Sequence, residues 1–165
     1  MKPDKRETVW EGKRFDVVVE DGFELVVSPG AVAIVAVDAA DRVVLVRQLR
    51  PAIGEVLLEL PAGLIDEGEE PLATAQRELQ EETGLHGGTW RELTSLWFSP
   101  GFASQRLTIF AATGLEEDEA DPDDGEELEI VRWPLAEVEA RLGELEDAKT
   151  LTGLLLVLRE RSARL

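Results

Sequence analysis

The chain contains no cysteine, and that absence alone removes three kinds of chemistry. There is no disulfide framework, no thiolate nucleophile and no thiolate zinc site. Histidine is almost as scarce. His86 is the single one, so a Ser-His-Asp triad or a histidine-rich metal centre would have to be assembled around that residue. Excess positive charge is missing too: 17 Lys and Arg stand against 35 Asp and Glu, a formal net charge of -18. Without a basic surplus there is nothing to release counterions from a nucleic acid backbone, so no nucleic-acid partner is expected. Long apolar runs are absent as well. LLLVL at 154–158 falls far short of the roughly 20 residues a bilayer needs. MKPDKRETVW at the start lacks the apolar segment of a signal peptide, and the expectation is a cytoplasmic protein with no membrane partner.

What is present is the composition of a globular domain, 44% hydrophobic and 32% charged over 165 residues. No internal repeat or Ser/Gly-rich linker divides it, so one domain over 1–165 is expected. The first half reads as strands: RFDVVVEDG, then GAVAIVAVD and RVVLVRQLR, the last two joined by a polar turn, DAAD at 38–41, as a hairpin. VLLEL follows and stops at Pro61, which cannot donate to a ladder; Gly63 is read as opening a loop. PLATAQRELQEET then has the residues of a helix, with Pro71 in its first turn and Gly84 as its left-handed stop. Leu72, Ala75 and Leu79 share one face of it, the expected core stripe.

ELTSLWFSPGFASQ and RLTIFAATGL are again strand-like, interrupted at Ser99-Pro100-Gly101. An acidic loop follows, in which ten of the fourteen residues 116–129 are Asp or Glu. IVRWPL resumes a strand, and LAEVEARL and KTLTGLLLVLRERSARL read as closing helices. Strands first, a carboxylate-rich helix in the middle and helices at the end predict an α+β fold, a mixed sheet with helices packed on it.

Glu78, Glu81 and Glu82 lie within five residues on the central helix, where they repel one another. Glu78 and Glu82 are four apart and line one strip, while Arg77 stands four before Glu81 and can hold it by an intrahelical ion pair. Mg²⁺ and Mn²⁺ take hard oxygen ligands, keep several waters and share the rest of their coordination with phosphate, so such a strip suits a phosphate-bound metal. Clustered carboxylates also raise one another's pKa when no cation is near, the mark of a site rather than of ordinary helix surface.

From Gly63 the chain reads Gly, five residues, Glu69, seven residues, then Arg77-Glu78-Leu79-Gln80-Glu81-Glu82-Thr83-Gly84-Leu85. This resembles the Nudix box at every defined position over residues 63–85. The resemblance implies a Nudix fold, an α/β/α sandwich with an N-terminal antiparallel β extension, and Mg²⁺-dependent (Mn²⁺ as a substitute) hydrolysis of a diphosphate with two or more ions. Residue by residue, it makes Glu78 and Glu82 the main metal ligands, Glu81 a further ligand or bridge, and the Ala62 carbonyl a backbone ligand. Glu69 and Arg77 then support the helix and orient a glutamate, beside the box glycine, Gly63.

Outside the box, VRQLRPA, Pro100 fifteen residues after Leu85, and DGEELEIVRWPL resemble the ADP-ribose pyrophosphatase branch. That branch implies AMP and ribose 5-phosphate as products, phosphate or adenine contacts from Arg50, and a glutamate of the acidic loop acting on the attacking water. Glu126 is the aligned position, with Glu127 and Glu129 as near alternatives. The branch commonly forms homodimers whose N-terminal strands, here within about residues 1–30, help build the adenine pocket. One departure stands out: GFASQ has Gln105 where the branch usually has an acid that would grip ribose hydroxyls. It leaves other diphosphates open, among them GDP-sugars, dinucleotides and oxidised nucleotides, beside a non-catalytic nucleotide-binding module. Trp90, Trp97 and Trp133 are candidates to stack on a base or, as ordinary aromatics, to sit at sheet and helix junctions.

Overall fold

The computed structural model describes residues 6–120 and 128–163. Three strands come first: β1 (Arg6–Glu11), β2 (Asp16–Glu20) and β3 (Phe23–Val27), an antiparallel sheet in that order. Only the middle one is legible as a strand in RFDVVVEDG. Glu20 pairs with Phe23 across Asp21 and Gly22, whose φ angles of 52° and 85° are the two positive values a type I′ hairpin requires.

β4 (Ala31–Val37) and β5 (Arg42–Arg50) form the expected hairpin around DAAD. Its chemistry is local. The Asp38 carboxylate accepts from the backbone N–H groups of Ala40 at 2.9 Å and Arg42 at 3.0 Å and from Arg42 Nε at 2.8 Å, closing the turn on one side chain. β6 (Glu55–Glu59) pairs with β5 and ends before Pro61, as read. Gly63 does not open a loop: it is the centre of a short strand, β7 (Ala62–Leu64), paired with β4. Three residues are too few to show a period in sequence.

α1 (Pro71–Thr83) has the predicted bounds, with Pro71 in its first turn and Gly84 at φ 75°, donating to the Gln80 carbonyl. Ala75 and Leu79 are fully buried, but Leu72 is 41% exposed. In its place the buried stripe continues through Thr74, Glu82 and Thr83. β8 (Leu85–His86), β9 (Thr89–Trp97), β10 (Arg106–Thr113), β11 (Glu116–Glu117) and β12 (Glu129–Pro134) follow. LAEVEARL is a broken segment rather than one helix, α2 (Val138–Arg141) between two single 3-10 turns, and α3 (Ala148–Ser162) closes the fold.

The main sheet runs β12-β5-β4-β10-β9, with β6 added to β5 and β7 to β4; β4 and β10 are parallel and the other pairs antiparallel. Strand period places helices on both faces. Val32, Ile34 and Ala36 of β4 pack with Ala75 and Leu79 of α1, whereas Ala33 and Val35 pack with Val138, Leu154 and Val157 of α2 and α3. The mixed α/β/α arrangement with an N-terminal antiparallel sheet is thus as predicted. Gly153 lets α3 approach closely, since a Cβ there would lie 2.8 Å from Leu60 and 2.9 Å from Val35. No helix among the described residues is long and apolar enough to cross a membrane.

Candidate active site

α1 carries its carboxylates to the edge of a cavity of about 960 Å³, lined on that side by Ala62, Gly63, Asp66, Arg77, Glu78, Glu81 and Glu82. Gly63 makes this possible. A Cβ at that position would stand 1.9 Å from the Glu78 carboxyl carbon, so the glutamate occupies space only glycine leaves open. The neighbouring Ala62 N–H donates to Glu82 Oε2 at 3.2 Å, so β7 bonds Glu82 by its backbone and makes room for Glu78.

Arg77 organises the rest. It donates to Glu81 at 2.8 Å, the predicted ion pair, stands 2.9 Å from Glu78, and reaches Glu69 at 3.1 Å through Nη2. Glu69 also accepts from Thr74 Oγ1 at 2.8 Å, which fastens the preceding loop to the helix. Hydrogen bonds from Arg77 and then Thr74 hold the Glu69 carboxyl below its ordinary range. Glu69 above all, with Glu78 and Glu81, raises Arg77 against the effect of burial, so it remains a cation at any working pH. Among the described residues no three carboxylates or imidazoles are gathered into a ready-made metal cage. Glu78 and Glu81 instead turn toward the Arg77 guanidinium. The donor set nevertheless fits a hard divalent ion: three carboxylates and a peptide group of β7 face one cavity, with no sulfur or imidazole lining it.

Arg50 and Gln105 line the same cavity, with Glu59, Asp147 and Lys149. Arg50 is not an isolated phosphate fork. Its Nε and Nη2 both donate to Glu59 at 2.6 Å, and Glu59, with its side chain 1% exposed, also receives Lys149 Nζ. Burial pushes the Glu59 carboxyl up, but the Arg50 fork and Lys149 outweigh it and hold it below the ordinary value. Sequence reasoning missed Glu59 and Lys149 because they meet across 90 residues; a carboxylate inside the apolar run VLLEL was the available signal.

The tryptophans do not line the cavity. Trp90 packs against Phe110 and donates to the Gly87 carbonyl, Trp133 is buried under Arg141, and Trp97 lies beside Arg106. Phe15, Phe98 and Phe102 line it instead. The turn that carries Phe102 is clamped to β3: Val26 N–H donates to the Phe102 carbonyl at 2.8 Å and Ser104 N–H to the Val26 carbonyl at 2.9 Å. His86 pairs with Asp118 at 2.7 Å away from the cavity, which leaves no histidine there for a nucleophile. Glu126 and Glu127 lie outside the described residues; Glu129 begins β12, faces Arg47 at 3.7 Å and does not line the cavity.

Comparison with known proteins agrees with this geometry. The family model described as NUDIX domain matches residues 27–154. The chain belongs to the Nudix family. An ADP-ribose pyrophosphatase of Bacillus subtilis is 36% identical over 160 residues, covering 88% of this chain and 85% of that protein. An ADP-ribose pyrophosphatase of Mycobacterium tuberculosis is 41% identical over 139 residues, covering 81% and 67%. A crystal structure of an ADP compounds hydrolase superposes with a TM-score of 0.83 at 28% identity, covering 99% of this chain and 96% of that one. In Nudix terms the box at 63–85 comprises β7, the following loop, α1 and its cap. Nudix enzymes use divalent metal ions, and the cavity's oxygen donors are of that kind.

Proposed function

We propose that this Nudix hydrolase cleaves the diphosphate of ADP-ribose, or of a closely related ADP-sugar, to AMP and a sugar phosphate. The observation that carries the reading is one cavity lined by the box glutamates together with Arg50, Gln105 and three phenylalanines. Its volume of about 960 Å³ is at the upper end for small-molecule sites and large enough for a nucleotide joined to a second sugar. The relatives named above add the substrate class.

In this reading Glu78, Glu81, Glu82 and the Ala62 carbonyl hold two or more Mg²⁺ ions, with Gly63, Glu69 and Arg77 keeping the glutamates in place. The ions supply charge neutralisation for the diphosphate and acidity for a bound water. Arg50 binds phosphate, Gln105 accepts from a sugar hydroxyl, and an exposed phenylalanine stacks on the base. The water oxygen forms the new bond to phosphorus, the bridging oxygen leaves with one product, and Glu126 of the acidic loop takes the water's proton. The chain works in the cytoplasm as a homodimer, with β1–β3 completing the neighbour's pocket. Exposed Val9, Trp10 and Phe23 on that sheet support the dimer.

The test is hydrolysis of ADP-ribose with Mg²⁺, products resolved by chromatography, beside ADP-glucose, NADH, GDP-mannose and 8-oxo-dGTP. Release of AMP from ADP-ribose in preference to the rest is expected. Cleavage of another member with ADP-ribose untouched would overturn the substrate and keep the chemistry, and Gln105 in the acid's position is the feature that keeps that second reading in view.

A further inference from the structure

Lys149 sits where a cation is electrostatically out of place. It is the second residue of α3, in the first turn, where the helix dipole favours anions. Yet its side chain is only 13% exposed, lines the cavity, and bonds Glu59 Oε2 and Asp147 Oδ1, the latter at 3.1 Å. The helix has other ties to the sheet. Asp147 caps α3 by accepting from Thr150 N–H at 2.9 Å, and buried Thr150 Oγ1 accepts from Leu60 N–H at 2.9 Å, so α3 is fastened to the end of β6 without the lysine.

The charges around Glu59 supply a reason. Two of the five N–H donors of Arg50 are committed to Glu59. Were Arg50 its only partner, the pair would be neutral, and Arg50 would offer an incoming anion little net charge. Lys149 brings a second cation to the same carboxylate. Asp147, which pairs with Lys149 through one oxygen and accepts from Thr150 N–H through the other, and Glu82 of the box are further anions that act on Arg50. Arg50, Lys149, Glu59 and Asp147 together are neutral, and without Lys149 the group would carry one negative charge against an incoming diphosphate.

We propose that Lys149 is a positioning residue for diphosphate binding, acting through Glu59 so that Arg50 remains electrostatically available to the phosphates. The inference rests on the reading of the cavity as a diphosphate site, not on which sugar is attached.

Lys149→Met, Lys149→Arg, Glu59→Gln and the Lys149→Met/Glu59→Gln double variant, assayed with the full chain and Mg²⁺, test it. Lys149→Met is expected to raise KM about tenfold, the loss of one charge-assisted contact, with kcat within about twofold. Lys149→Arg should restore most of the loss. In the Glu59→Gln background the lysine change should alter KM less than about twofold, because the carboxylate it neutralises is gone. Thermal melts of all four separate binding from folding. A lower Tm with unchanged KM would make Lys149 a structural tie and overturn the proposal; so would a KM effect that persists undiminished beside Glu59→Gln, the mark of direct contact. If wild type leaves ADP-ribose untouched, the substrate reading fails by itself. The same four variants are then compared by calorimetric affinity for ADP, which carries the diphosphate without the second sugar, with the same two overturning outcomes.

Discussion

A β-carbon at position 63 would lie 1.9 Å from the carboxyl carbon of Glu78 and 2.1 and 2.4 Å from its oxygens. The obstacle is the far end of a flexible side chain, not backbone, so Gly63→Ala should fold and expel the glutamate from β7. We expect turnover to fall about a hundredfold, on the order of 2.7 kcal/mol in the barrier, with Tm shifted by only a few degrees. Full activity in this variant would remove Glu78 from the metal set. Glu59 yields a second prediction with a defined sign. Its folded pKa lies below the ordinary 4.5, so its ionisation stabilises the fold fully above that value and the contribution is lost as pH falls through the lower folded one. Urea melts across pH 5 to 3 should thus show wild type losing stability more steeply than Glu59→Gln. At neutral pH that variant should be less stable by about 3 kcal/mol, because Arg50 and Lys149 then face each other without their carboxylate. Equal slopes for the two proteins would remove Glu59 from the acid response.

Gly84 ends α1 at φ 75°, and a Cβ there would stand 2.1 Å from the Asp118 carbonyl oxygen. Asp118 N–H donates to the Gly84 carbonyl at 2.9 Å, so the helix cap is also the seat of the β8–β11 pairing. Gly84→Ala combines an unfavourable φ with a backbone clash and should cost about 2 kcal/mol or more in a denaturant melt, against the few tenths usual at an exposed helix position. A neutral result would mean the cap relaxes freely. This element was legible in the sequence because everything that defines it is local: the proline at its start, the glycine at its end, the i to i+4 spacing of Arg77 and Glu81. The β4–β5 hairpin was legible for the same reason, through Asp38. What escaped was set by partners distant in the chain. β7 is a strand only because β4 is beside it, the buried stripe of α1 runs through Thr74, Glu82 and Thr83 and leaves Leu72 exposed, and β8 and β11 are two residues each. In the cavity wall, Arg50 and Gln105 stood out as residue types, whereas the Glu59–Lys149 contact and the choice of Phe15, Phe98 and Phe102 over the tryptophans depended on how sheet edges and loops come together.

Over the whole molecule, a net charge of -18 opposes compaction, and salt of any kind should relieve part of that repulsion. With a Debye length of about 10 Å at 0.1 M, screening acts on all exposed carboxylates together and has no onset concentration set by a site. Binding of a divalent ion to the box glutamates is different. At free ion concentration L it stabilises the folded state by RT ln(1 + L/Kd), about 2.7 kcal/mol at a hundredfold excess over Kd and about 4.1 kcal/mol at a thousandfold. For a chain of this size the first of these corresponds to roughly 5–10 °C in Tm. We therefore expect Mg²⁺ to raise Tm from an onset near its Kd and then logarithmically with concentration, beyond the gradual rise given by NaCl at matched ionic strength. Glu82→Gln should keep the NaCl response and lose most of the Mg²⁺ excess, since an amide oxygen still accepts the 3.2 Å bond from Ala62 N–H but brings no charge to the ion. Should NaCl reproduce the whole Mg²⁺ shift, or should the variant retain it, the acidity of α1 would be surface charge and the ion would have to be held elsewhere.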